Sequence, residues 1–168
     1  MRSISAAEIR RHIGNILRQE QSAITKRLQQ VAPGLALRTI SDSFTRNVTI
    51  DGLPAIMFDQ NGTSSQWEAM PNLMRREFRL TIWGYIHWND DDVLDDAVAE
   101  FAAGVEEALL ARHRPTPIIG SDVMVYYDST TPITGVSFGT GHLSGTVVRG
   151  FSANFNCHIL QAAPDYHN

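Results

Sequence analysis

The densest group of chemically capable side chains is acidic: Asp90, Asp91 and Asp92 in a row, then Asp95 and Asp96. Carboxylate oxygens at that density suit a divalent cation. The spacing is not that of an EF-hand, because the central glycine and the distal bidentate glutamate are missing. Helix capping accounts for the same residues: an Asn-Asp run ahead of an apolar-periodic stretch supplies an N-cap and places negative charge at the positive end of the helix dipole. The sequence is therefore read as carrying no metal site and no cofactor site.

The remaining reactive residues are dispersed. The six histidines, His12, His87, His113, His142, His158 and His167, form no HxH or HxxxH pair, so no zinc spacing exists. His87 and His158 both fall on expected strands, on the polar face, where a meeting across a sheet is open to them and a sheet-surface or interface role is expected. Gly139-x-Gly141 followed by Gly145 lacks the helix and the Lys-Ser/Thr of a phosphate loop and reads as a turn. Ser144 has no nucleophile-elbow context. Cys157 is expected mid-strand on an apolar face, a core thiol. No catalytic constellation results, and the chain is expected not to be an enzyme.

The elements that must position these residues are clearest between Glu77 and His113. Phe78, Leu80, Ile82, Ile86 and Trp88 alternate with Arg79, Thr81, Trp83, Tyr85 and His87, a strand with two distinct faces. The first face is core, with Gly84 leaving a gap. The second is amphipathic and aromatic, a composition enriched where surfaces become buried between proteins. After Asn89–Asp92, the residues Leu94, Ala97, Val98, Phe101, Val105 and Leu109 recur at helical spacing, and Pro115 and Pro117 end the helix.

Upstream, Ser5-Ala6-Ala7-Glu8 fits a capping box. Ile9, Ile13, Ile16, Leu17, Ile24, Leu28 and Val31 continue one apolar stripe to the stop at Pro33-Gly34, predicting a long N-terminal helix over about 5–32. Gly14 and Ser22 weaken its interior. Short strands are expected at Leu35–Ile40 and Leu53–Phe58, with a turn at Asp51-Gly52. A flexible polar loop is expected over about 59–72, with Asn61-Gly62 as its reversal point. Two strands flank the turn Ser129–Pro132, a final long strand alternates Val147, Arg149, Phe151, Ala153, Phe155, Cys157 and Ile159 with polar residues, and 162–168 forms a frayed tail.

The fold class expected is α+β: a mainly antiparallel sheet with the long N-terminal helix and a second amphipathic helix packed on one face. A chain of 168 residues forms one domain, 1–168. The net charge of −4 argues against tight nucleic-acid binding, which needs clustered Lys and Arg. A lone cysteine permits no internal disulfide, and the charge-broken N-terminus lacks a signal-peptide core, so a cytoplasmic site of synthesis and no membrane partner are expected.

The run Arg79-Leu80-Thr81-Ile82-Trp83-Gly84-Tyr85-Ile86, then Asp90–Asp92, then AVAEFAAGVEEALLA resembles the tail terminator, or tail-completion, proteins of tailed bacteriophages. The N-terminal helix closing in Ala32-Pro33-Gly34 is similar to theirs, although longer, and the 59–72 segment is an addition. The resemblance implies a structural virion protein of the tail or neck, made in the host bacterial cytoplasm. It implies a homo-oligomeric ring, a hexamer, that caps the tail tube and ends its polymerisation. Its partners would be the tail tube protein, a neck or connector protein and, as a further candidate, a sheath protein, with DNA passing through the channel without sequence-specific binding. Ring closure requires a heterologous interface. That role falls to Arg79, Thr81, Trp83, Tyr85 and His87 and to Asp59, Gln60, Asn61, Gly62 and Gln66. Another head–tail connector or baseplate adaptor is the alternative reading, and a small enzyme or ligand-binding domain ranks behind both.

Overall fold

The computed structural model describes residues 3–43, 48–67, 72–111, 114–127 and 133–162. Helix α1 (Ala6–Gln19) begins at the expected capping box: the Ser5 hydroxyl accepts from the Glu8 N–H at 3.3 Å, and the Glu8 carboxylate accepts from the Ser5 N–H at 2.9 Å. Two backbone donors that a helix start leaves unpaired are thereby satisfied. Ser5→Ala is expected to lower the unfolding free energy by about 1 kcal/mol, read as a lower urea midpoint with an unchanged slope.

The single long helix does not form. α1 ends at Gln19, Glu20 leaves the helical conformation, and α2 runs Gln21–Val31. The cause lies in the following segment. Gln21 Nε2 donates to the Leu37 carbonyl at 2.7 Å, and Thr25 Oγ1 accepts from the Leu37 N–H at 3.1 Å. Both backbone groups of a buried residue, Leu37, are paired by side chains of α2, so the start of α2 is set by this segment. α2 then packs along α3 (Asp91–Leu110), where Arg27 meets Glu100 at 2.6 Å and Glu107 at 2.7 Å.

The sheet comprises β1 (Thr39–Ser41), β2 (Ala55–Trp67), β3 (Leu73–Ile86), β4 (Thr116–Pro117), β5 (Met124–Tyr127), β6 (Ile133–Leu143) and β7 (Thr146–Ala162). Its order is β1-β2-β3-β7-β5-β4, and β6 also pairs with β7. β1 lies parallel to β2 and every other pairing is antiparallel. The fold class is thus α+β with a mainly antiparallel sheet. The turn expected at Asp51-Gly52 is present, as a 3₁₀ turn, Ile50–Gly52, between two parallel strands. One expectation changes in detail. The Gly139–Gly141 run lies inside β6, and the reversal is at Ser144-Gly145, both with positive φ, the conformation that suits a two-residue hairpin.

The largest change concerns the expected loop. Residues 59–67 are strand, paired with β3 from Asp59↔Thr81 to Trp67↔Met74, and Leu73 and Met74 are strand as well. Asn61-Gly62 is no reversal point: Asn61 is the extra residue of a β-bulge between Gln60 and Gly62. The turn expected at Ser129–Pro132, His113, His167 and the tail beyond Ala162 lie outside the described residues.

All three helices cover one face. Ile9, Ile13, Leu17, Ile24, Leu28, Leu94, Phe101 and Val105 close over Phe58, Phe78, Leu80, Ile82, Phe151 and Phe155. The gap at Gly84 is filled by Phe151, its cross-strand partner, whose ring also meets Phe101 edge-on at 5.3 Å. One residue along and on the opposite face, Tyr85 lies over Gly150 in the same way. Each glycine opens a seat for the aromatic ring facing it. Cys157 is buried, and desolvation pushes its thiol up to about 12, as befits a core thiol.

Candidate functional site

The helix-free face of the sheet collects most of the residues that the sequence singled out. β3 sets Thr81, Trp83 and Tyr85 on this face by alternation, and β2 and β7 flank them. Trp83 and Tyr85 stack with ring centroids 6.3 Å apart and planes 2° apart. They pack on a second, smaller apolar cluster built from Leu53, Ala55, Met57 and Val148. Both rings stay half-buried. Partial burial raises the Tyr85 hydroxyl above the ordinary phenol value by desolvation, so it is a neutral hydrogen-bonding group near pH 7.

Thr81 departs from the expected surface role. It is 7% exposed. Its Oγ1 donates to Asn154 Oδ1 at 3.1 Å and accepts from Asn61 Nδ2, which also reaches Asn154. The β-bulge has a local consequence here, because it turns Asn61 onto this face and seals Thr81. His87 is half-buried, and its Nδ1 donates to the Val147 carbonyl at 3.0 Å. Arg79 is exposed.

The polar stretch of β2 divides between the faces. Asp59 lies opposite Thr81 on the helix-free face, whereas Gln60 reaches Arg10 of α1 at 3.4 Å on the other. Gly62 lies opposite Arg79, and Gln66 lies opposite Arg75 toward the hairpin end. The structure therefore brings Asp59, Asn61, Gly62, Arg79, Thr81, Trp83 and Tyr85 onto one surface, and sets Gln60 behind it.

An open cleft of about 450 Å³ borders Asn61 and Arg79 and is also lined by Arg75, Glu77, Asn156 and His158. Its charges are partly mutual, since Arg75 and Glu77 pair at 3.1 Å. His158 stacks on Tyr126, with centroids 5.4 Å apart. His87 and His158 do not meet: His158 faces Glu77 of β3, ten residues before His87 in the chain.

Two members of the acidic cluster have structural roles. Asp90 caps α3, accepting from the Asp92 N–H at 3.1 Å, and Asp95 pairs with Arg149 at 2.9 Å. Among the described residues no group of His, Cys, Asp and Glu is placed to hold a metal ion, and no helix is long and apolar enough to cross a membrane.

Sequence reasoning missed Asn154, Gly150 and His12. Only the pairing of β3 with β7 brings the first two to this face. His12 was legible, since it continues the Ile9, Ile13, Ile16 stripe. It is 6% exposed, and its Nε2 lies 2.8 Å from Thr116 Oγ1, which in turn lies 3.0 Å from the Tyr127 hydroxyl. Desolvation lowers its pKa below 6.5. The folded state therefore resists a proton that the unfolded chain accepts. Stability is complete above about pH 6.5 and is lost as pH falls through the ordinary histidine range toward the lowered folded value. His12→Gln is expected to flatten that part of a melting-temperature profile between pH 7 and pH 5.

No protein-family model and no curated protein sequence matches the chain.

Proposed function

We propose that the chain is a structural subunit of a bacteriophage tail: a terminator that assembles as a homo-oligomeric ring, caps the tail tube, ends its polymerisation and joins the tail to the neck. The observation that carries this reading is the helix-free face. A half-buried aromatic pair, Trp83 and Tyr85, sits on a small satellite core beside the polar outer stretch of β2, Asp59–Gln66. Half-buried aromatics with a polar surround are the composition of surfaces that become fully buried on association. The sequence resemblance between Arg79 and Ala111 supports the same reading.

In this reading the chain performs no catalysis. Its partners are further copies of itself, six in a ring, the tail tube protein and a neck or connector protein. DNA traverses the channel without specific contacts, for which a net charge of −4 is suitable. The chain is made in the host bacterial cytoplasm and ends in the virion.

Mass in solution, by light scattering across a concentration series, tests the proposal together with co-sedimentation on tail tubes assembled from a purified tail tube protein. A closed oligomer that binds tubes is expected. A chain that stays monomeric and ignores tubes contradicts the reading.

A further inference from the structure

Two long stretches of the sheet have a free edge among the described residues, and they are opposite edges of one four-strand unit, β2-β3-β7-β6. β1 pairs with β2 only at Ala55–Met57, which leaves Asp59–Gln66 without an outer strand. β6 pairs only with β7, and its outer edge is free over Ile133–Leu143. Exposed edges of this length are normally blunted with lysine, proline, inward charge or a bulge, because unpaired N–H and C=O groups recruit other strands. Each edge carries a bulge, yet neither carries lysine or proline, and Asp59 is the only charge on either. Phe138 and Val136 of β6 are 57% and 40% exposed. Both edges are built as if to be paired.

We infer that the β6 edge of one copy adds to the β2 edge of the next, making the sheets of the ring continuous. The inference rests on the ring reading and names its subunit contact. Strand direction supports it. β2 and β7 run one way, β3 and β6 the other, so a copy related by rotation about a ring axis presents its β2 antiparallel to β6. Antiparallel pairing is the more stable kind.

The register supports it too. Phe138 of β6 lies opposite Phe151, Phe151 opposite Gly84, and Gly84 opposite Ile56 of β2. The free part of β2 centres on Thr63, seven residues from Ile56, or six without the bulged Asn61. Setting Phe138, the midpoint of β6, against Thr63 offsets successive copies by six residues, about 20 Å, across four strands, about 19 Å wide. That slope is about 45°, the tilt at which sheets close on themselves. Because six is even, faces also match: Phe138 and Thr63 are on the helix-bearing side, Ser137 and Ser64 on the helix-free side. The short strands β1 and β4 lie beyond these free stretches. A second copy of this chain is therefore the occupant that fits both edges at once.

The test is a cysteine pair, Ser64→Cys with Ser137→Cys, on two exposed positions, oxidised after assembly and run on a denaturing gel. The buried Cys157 is left in place. Expected is a covalent ladder that ends at the ring size, with neither single variant forming it. Ser64→Lys and Ser137→Lys are each expected to reduce the solution mass to that of a monomer while the melting temperature stays within a few degrees. An equal mixture of the two is expected to form a dimer, because one intact junction remains. Rings of full mass that yield no ladder and tolerate both lysines overturn the edge pairing and leave the ring reading standing. Covalent dimers from Ser64→Cys alone overturn it in favour of a β2–β2 contact. A wild-type monomer at all concentrations overturns both.

Discussion

Gly84→Ala is expected to destabilise the fold by about 3 kcal/mol, the upper part of the range for overpacking a dense core. A methyl group on Gly84 would overlap the Phe151 ring, which is buried and held edge-on by Phe101. The ring cannot retreat without opening the contact with α3. Phe151→Ala is expected to cost about 4 kcal/mol through the cavity it leaves. The informative measurement is the double variant in urea. If glycine and ring form one unit, the added methyl enters space that Phe151 has vacated, and the pair costs less than the sum of the singles by about 1–3 kcal/mol. Strict additivity would show that the Gly84 gap and the Phe151 ring do not depend on each other.

The second large effect concerns assembly. Changing Trp83 and Tyr85 to alanine removes the stacked pair from the helix-free face while leaving the helix-covered core in place. Central aromatic anchors are typically worth about 2 kcal/mol or more each at an interface, so the pair amounts to about a thousandfold in the association constant. The expected result is a folded protein with a cooperative thermal transition that stays monomeric where the wild type assembles. A variant that folds and assembles with the wild-type concentration dependence removes these residues from the interface, whatever the chain's role.

The elements legible in the sequence are those whose cause is local. The Ser5 box, the Asp90 cap and the buried stripe of α3 rest on contacts within a few residues, and each is present. The core face of β3 was equally clear, because Phe78, Leu80, Ile82 and Ile86 alternate with a single gap at Gly84. What was not legible has distant causes. The break at Glu20 follows from α2 side chains pairing with Leu37, and apolar periodicity is blind to a backbone partner outside the helix. The stretch DQNGTSSQ reads as loop because its composition is polar. It is strand because β3 supplies a full ladder of partners, a context effect stronger than propensity.

The candidate site shows the same division. Alternation put Trp83 and Tyr85 on a second face, and they are there. It also put Thr81 on an open surface. Asn61, turned onto the helix-free face by a bulge, and Asn154, 73 residues beyond Thr81 in the chain, cover it instead. No single-strand pattern contains that information. The aromatic pair and the free edges of β2 and β6 remain the exposed features that call for a partner, and both lie on the unit β2-β3-β7-β6.

The central claim is that this chain stops a growing tube. The direct measurement adds it to tube protein during polymerisation and records tube lengths and ends by electron microscopy. Tubes are expected to shorten as the chain is added, each carrying a ring of this chain at one end and failing to extend when fresh tube protein is supplied. Tubes of unchanged length, with bare ends that continue to grow, would contradict the account.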